Sequence, residues 1–160
     1  MSTTISSPEV GKDIQAGGLR VNYHDHGSGF PVLMIHGSGP GVSAWANWRL
    51  VVPELAKQRR VLAPDMAGFG FTERVPGAVY NMDNWVRQAI DFIDALGLKQ
   101  VDLVGNSFGG GLSLALLIGG LLGGQPVAPP SGRPGVAACV ERVGEVGEVQ
   151  LAGLGAVAQR

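Results

Sequence analysis

Gly105-Asn106-Ser107-Phe108-Gly109 fits the pattern G-x-S-x-G, and it lies between the apolar run Val101 to Val104 and an apolar stretch from Leu112 to Ile118. A strand that turns sharply into a helix at a serine is a nucleophile elbow. The turn lifts the serine oxygen into solvent, and glycines flank it because side chains there would collide with the neighbouring strand or helix. The segment therefore demands a buried strand on one side, a helix on the other and a sheet edge where both meet.

The rest of the chain supplies such a sheet. Leu19 to His26 alternates as a strand does, Gly27-Ser28-Gly29 makes a turn, and Pro31 to Ile35 is a continuous apolar run of the kind found in buried strands. Trp45, Trp48, Val52 and Leu55 recur at helical spacing up to Lys57, which predicts one amphipathic helix lying on the sheet. Arg60 to Asp65 reads as another buried strand, and it runs into the glycine-bearing loop Ala67-Gly68-Phe69-Gly70. From Asp83 to Leu96 the residues Trp85, Val86, Ala89, Ile90, Ile93 and Leu96 form one helical stripe, closed by Gly97 as C-cap. Strands alternating with helices predict an α/β fold with a mostly parallel sheet flanked by helices. Its site lies at the carboxyl ends of the strands, where the loops at His36, Ala67 and Ser107 all emerge.

Beyond residue 118 the composition changes. Residues 119–160 hold no aromatic residue, His, Asp, Asn, Lys, Thr, Ile or Met, and consist almost wholly of Gly, Ala, Val, Leu, Pro, Arg, Glu and Gln. These are residues whose codons begin with G or C. Two readings fit: a GC-rich message read out of frame, or a genuine Gly/Pro-rich disordered tail. Residues 1–118 are accordingly taken as the N-terminal part of a core, and 119–160 as a tail with at most a short helix near Val136 to Val149.

Charge and cysteine content narrow the partners. A net charge of -1 with no basic block gives no electrostatic footprint for nucleic acid or an anionic membrane. The single cysteine, Cys139, excludes an intrachain disulfide and fits a reducing compartment. Met1 to Val10 lacks the basic and apolar regions of a signal peptide, and Leu112 to Leu122 is too short and glycine-interrupted to span a bilayer. The expected location is the cytoplasm.

A serine nucleophile needs a base, and the oxygen that becomes negative needs two donors. One donor is the N–H after the nucleophile, here Phe108. The other comes from a loop after an earlier strand, here His36-Gly37-Ser38-Gly39-Pro40-Gly41, with Ser38 or Gly39 supplying it. The base is harder to find. His24, His26 and His36 all precede Ser107, whereas the triad order on such a sheet is Ser, then acid, then His. His36 belongs to the donor loop, where an orienting role fits better than proton transfer. His24 and His26 share a strand face without further ligands nearby, so no metal site is expected. Glu141, Glu145 and Glu148 read as a solvated face. Asp65 has two roles open to it, an acid or a cap for the next loop. Asn47 and Asn106 are able to bind a carboxylate, carbonyl or enol, or to serve as a helix-turn residue and a tolerant elbow residue. Trp45, Trp48 and Trp85 are core or pocket wall.

The runs His36-Gly37-Ser38-Gly39-Pro40-Gly41-Val42-Ser43-Ala44-Trp45-Ala46-Asn47-Trp48-Arg49, Ala63 to Gly70 and Gly105 to Gly111 together resemble the meta-cleavage product hydrolases of the α/β-hydrolase superfamily. The resemblance covers about residues 19–118 and is nearest the branch acting on 2-hydroxymuconic semialdehyde. It implies hydrolysis of a carbon–carbon bond in a ring-fission product of catechols, giving 2-hydroxypenta-2,4-dienoate and, from the semialdehyde, formate. It also implies Ser107 as nucleophile, the Ser38 and Phe108 N–H groups as oxyanion donors, and Asn47 and Asn106 at the dienoate end of the substrate. The implied partner is a small dienol ketone or aldehyde, the implied relatives are homo-oligomers, and no cofactor is implied.

The chain departs from that family, which supplies a lid of helices and then an acid and a histidine from later strands; none of these is encoded here. Little turnover is expected of the 160-residue polypeptide alone. An exposed sheet edge and an uncovered apolar face are expected as well. Two rivals remain, an ordinary carboxylesterase with the same elbow and a non-catalytic fragment. A dehalogenase is disfavoured, because that chemistry wants a carboxylate at the elbow.

Overall fold

The computed structural model describes residues 7–122 and 137–138, with side-chain surroundings up to residue 118. Of the expected tail, the described residues are 119–122, which continue a helix, and Ala137 and Ala138; Cys139 and the three tail glutamates lie outside them.

Two strands open the chain. β1 (Lys12–Ala16) and β2 (Leu19–His26) form an antiparallel hairpin through Gly17 and Gly18, both at positive φ (59° and 84°). A two-residue turn with both central residues left-handed matches the twist of the flanking strands, which is why glycine stands at both positions. β1 was not foreseen, since only Ile14 and Ala16 in Lys12 to Ala16 are apolar: it is an edge strand that turns these two to the core and bears Lys12 and Asp13 on exposed positions. β3 (Pro31–Ile35), β4 (Arg60–Pro64) and β5 (Asp102–Gly105) follow, and with β6 (Ala137–Ala138) the sheet order is β1-β2-β4-β3-β5-β6. β4 and β5 flank β3 in parallel, whereas β2 runs antiparallel to β4. The loops after β3, β4 and β5 therefore leave the same edge of the sheet.

Both faces of the central strands are buried, so their sequences read as unbroken apolar runs. Leu33, Ile35, Leu62 and Leu103 face α3 (Met82–Ala95) and α4 (Phe108–Leu122), where Phe92, Ile93, Leu112 and Leu116 complete the larger core. Val32, Met34, Val61 and Ala63 point the other way, onto Ala44, Trp48 and Val52. Phe92 is fully buried and meets the Tyr23 ring edge-on at 5.2 Å, a burial worth about 2–3 kcal/mol. α3 starts at Asn81, whose side chain accepts from Asn84 N–H at 2.9 Å, and stops at Gly97 with φ 65°.

The single helix expected over Trp45 to Lys57 is instead two short ones, α1 (Ala44–Trp48) and α2 (Val52–Leu55). Pro53 is the reason. It has no N–H to give to the carbonyl four residues back, so it is accepted in the first turn of a new helix and not inside a continuing one. The short helix allowed near Val136 to Val149 lies outside the described residues but for Ala137 and Ala138, which are extended as β6 and pair in parallel with Asp102 and Leu103 on the open edge of β5. Leu114 and Ile118 on α4 are 45% and 44% exposed, which fits the expected uncovered apolar face.

Candidate active site

β5 ends at Gly105, two residues before Ser107, and Gly105 is in register with Ile35 at the end of β3. The donor loop and the elbow thus leave adjacent strands side by side, tied by Asn106 N–H donating to the Ile35 carbonyl at 3.0 Å. Ser107 has φ 52°, the single non-glycine residue with positive φ among the described residues, and it is exposed. Holding serine in the left-handed region costs about 1–2 kcal/mol, a strain that the surrounding sheet and helix sustain. The glycines show why the motif is needed. A Cβ on Gly109 would overlap the Ile35 carbonyl oxygen and lie 2.7 Å from the oxygen of His36, and one on Gly105 would overlap the backbone of Gly109 and Gly110.

Asn47 joins the two loops. Its Oδ1 accepts from Gly37 N–H at 2.8 Å and from Asn106 Nδ2 at 3.0 Å. Since a backbone N–H can only donate, Asn47 turns its carbonyl inward and Asn106 presents its amide nitrogen. Among the described residues, the Asn47 amide nitrogen and the Asn106 amide oxygen make no further hydrogen bond. The pair therefore offers a donor and an acceptor beside the elbow. The same bond uses up Gly37 N–H, while the N–H groups of Ser38 and Gly39, like that of Gly41 at the far end of the loop, have no acceptor among the described residues. Phe108 N–H, at the start of α4, likewise has none.

His36 is buried with both ring nitrogens engaged. Nδ1–H donates to the Gly37 carbonyl at 2.6 Å, and Nε2 accepts from Met66 N–H at 2.9 Å. Burial holds its pKa below the ordinary 6.5, so the ring is neutral and braces the donor loop against the loop after β4. Asp65 is fully buried and accepts from Ala44 N–H (2.6 Å), Asn22 Nδ2 (2.8 Å) and Phe71 N–H (2.8 Å). Of its two open roles, the geometry favours the cap, because three donors surround it and none of them is a reacting group. Two residues not singled out from the sequence help it. Gln88 bonds Ala67 N–H (2.7 Å) and the Asp65 carbonyl (3.1 Å), and Thr72 Oγ1 donates to the same carbonyl at 2.7 Å. Gln88 interrupts an apolar helical stripe, the one local sign of its task.

Aromatic rings wall the edge. Trp85 meets Phe108 edge-on at 4.8 Å and donates from Nε1 to the Ala67 carbonyl at 2.9 Å, while Phe69 lies 5.3 Å from His36 and 6.3 Å from Phe108. Trp85 is wall, and Trp48 is core. Trp45 instead packs on His24 at 5.2 Å, under the other sheet face. His24 and His26 do share a face, with rings stacked at 6.1 Å, but β4 and β3 separate their strand from β5. Burial lowers the His24 pKa, and its Nε2 bonds the Glu9 carbonyl. Among the described residues no group of three His, Cys, Asp or Glu could hold a metal ion, and no helix is long and apolar enough to cross a membrane.

Comparison with known proteins decides the fold family. The sequence profile of the alpha/beta hydrolase fold matches residues 31–118, from the start of β3 into α4. The chain belongs to the α/β-hydrolase fold family. Within this family it is 64% identical over 118 residues to 2-hydroxymuconate semialdehyde hydrolase of Pseudomonas sp. (strain CF600), covering 74% of this chain and 42% of that protein. It is 59% identical over 110 residues to 2-hydroxy-6-oxo-2,4-heptadienoate hydrolase of Pseudomonas putida F1, covering 69% of this chain and 40% of that one. Among solved structures, the meta-cleavage product hydrolase CumD of Pseudomonas fluorescens IP01 superposes with a TM-score of 0.69 at 54% identity, over 70% of this chain and 41% of CumD. The α/β-hydrolase chain described here spans about two fifths of the length of the curated relatives it matches.

Proposed function

We propose that residues 7–118 are the nucleophile-bearing part of a serine hydrolase that cleaves the carbon–carbon bond of meta-ring-fission products, with 2-hydroxymuconic semialdehyde going to 2-hydroxypenta-2,4-dienoate and formate. The observation that carries this reading is the Asn47 bridge between the Gly37 loop and the Ser107 elbow. An esterase site needs the elbow and a donor loop. It has no need of paired amides that present a donor and an acceptor together, whereas a substrate with a carboxylate and an adjacent enol does. The names of the relatives point the same way.

In this reading the Ser107 oxygen attacks the terminal carbonyl of the ketonised substrate, and the Phe108 and Ser38 or Gly39 N–H groups take the negative oxygen. Asn47 and Asn106 hold the dienoate end. Expulsion of the carbanion, which takes a proton to become the dienol, leaves an acyl group on Ser107 for water to release. The proton of Ser107 needs a base, and His36 has no nitrogen to give, so the 160-residue chain alone turns over little. The single cysteine and the absence of a basic block favour a cytoplasmic location for it.

The test is a chimera that joins residues 1–118 to the C-terminal part of the CF600 relative. The reading expects hydrolysis of 2-hydroxymuconic semialdehyde well above that of a nitrophenyl ester, and loss of both activities in Ser107→Ala. A folded chimera that prefers the ester would assign a carboxylesterase. One that hydrolyses neither substrate would leave this segment without a catalytic role.

A further inference from the structure

We propose that Glu9 is a positioning residue for the donor loop 36–41, acting through Ser43 and α1. The residues before β1 lie as a strap across β2. Asn22 Nδ2 donates to the Glu9 carbonyl at 3.1 Å, Gly11 N–H donates back to Asn22 Oδ1 at 2.8 Å, and a Cβ on Gly11 would stand 2.9 Å from the Tyr23 carbonyl carbon. The strap is thus seated flush on the strand. From there the Glu9 carboxylate takes the hydroxyl hydrogen of Ser43 at 2.7 Å, while the Ser43 oxygen accepts from Ala46 N–H at 3.1 Å.

A hydroxyl has one hydrogen and a free rotor, so the acceptor chosen by the hydrogen decides where the lone pairs face. Ser43 is 1% exposed, and its hydroxyl hydrogen goes to the Glu9 carboxylate. With Glu9 present the lone pair is turned to Ala46 N–H and caps α1. α1 has five residues, too few to persist by propensity, so its cap weighs heavily. That helix carries Asn47, whose N–H bonds the Ser43 carbonyl at 3.1 Å and whose Oδ1 holds Gly37 N–H. A continuous path of hydrogen bonds therefore runs from the strap to the loop that offers Ser38 and Gly39. Asp65 supplies a competing anchor at Ala44 N–H, which makes the contribution of Glu9 a matter for measurement.

The importance of this path for turnover rests on the oxyanion role given to the loop above, but its test does not. In the ¹⁵N-labelled 160-residue chain, amide hydrogen exchange is followed at Gly37 and Ala46, with Leu33 and Leu62 in the central strands as references. Glu9→Ala is expected to speed exchange at Gly37 and Ala46 about tenfold, the size of a lost cap, with both leucines unchanged. Glu9→Gln, which keeps an acceptor oxygen, is expected to restore protection. Ser43→Ala reproduces the loss, and the double variant adds nothing further. Unchanged protection of Gly37 in Glu9→Ala overturns the proposal, as does equal acceleration at Leu33 and Leu62 or failure of Glu9→Gln to rescue. Should Glu9→Ala not fold, Ser43→Ala carries the same expectation and the same refutation.

Discussion

Gly109→Ala sets two effects of known sign against each other within the first turn of α4. Helix propensity alone makes alanine better than glycine by up to about 1 kcal/mol. The backbone of β3 opposes it: the new Cβ would overlap the Ile35 carbonyl oxygen and lie 2.7 Å from both the Ile35 carbonyl carbon and the His36 oxygen. These are backbone atoms at the end of β3 and the start of the loop after it, so no side chain can rotate away, and overpacking of this kind costs about 1–3 kcal/mol or more. The expected net change is a loss of about 1–2 kcal/mol, despite the better helix former. Gly111, two residues on, provides the control. A Cβ there meets nothing within 4 Å, so Gly111→Ala is expected to stabilise by about 0.5–1 kcal/mol. Urea unfolding followed by far-UV circular dichroism reads both variants. With a slope of about 1–2 kcal/mol/M for a domain of this size, the midpoint drops by about 1 M for Gly109→Ala and rises by roughly half as much for Gly111→Ala. If the two variants move the midpoint in the same direction, close approach of helix to strand is not what requires glycine in the elbow.

Three further outcomes follow from the site. Ser107→Gly relieves the positive φ and is expected to raise stability by about 0.5–1 kcal/mol, after the extra entropy of the unfolded glycine is subtracted; a lower urea midpoint than wild type would show that the elbow is not strained. Asp65→Asn keeps the shape but turns an NH₂ toward at least one of the three donors, so a loss of about 2–3 kcal/mol is expected in thermal melts, against little change for the exposed Asp13→Asn. Burial lowers the folded-state pKa of His36 and His24 below the ordinary 6.5, so the unfolded chain binds more protons just below that pH. Their contribution is fully present above pH 6.5 and is lost as pH falls from 6.5 toward the folded values. The melting temperature is expected to drop between pH 7.5 and 5.5, and an equal or higher value at pH 5.5 would contradict the assignment of neutral, buried imidazoles.

Much of the frame was legible because it is written in short-range patterns. β2 to β5 follow from apolar alternation or runs, α3 from its stripe and Gly97, and the elbow from five consecutive residues. β1 was hard to see because only Ile14 and Ala16 of its five residues reach the core, and the split of α1 from α2 was masked by apolar spacing that continues across Pro53. The candidate site was legible in its members and not in their connections. The resemblance puts Asn47 and Asn106 together at the dienoate end, yet neither the hydrogen bond between them across 59 positions nor the use of Gly37 N–H has any local signature. The same holds for Glu9 and Ser43, 34 positions apart.

Taken by itself, the order of residues determined that Ser107 stands between a buried strand and a helix, and that glycine-rich loops share its sheet edge. Tertiary structure alone decided that His36 is a brace, that Asp65 is a cap, and that two asparagine amides face each other in one orientation. The physical reason is range. Propensity and periodicity act within a few residues, whereas a hydrogen bond between distant side chains exists only once the sheet has brought β3, β4 and β5 to one edge.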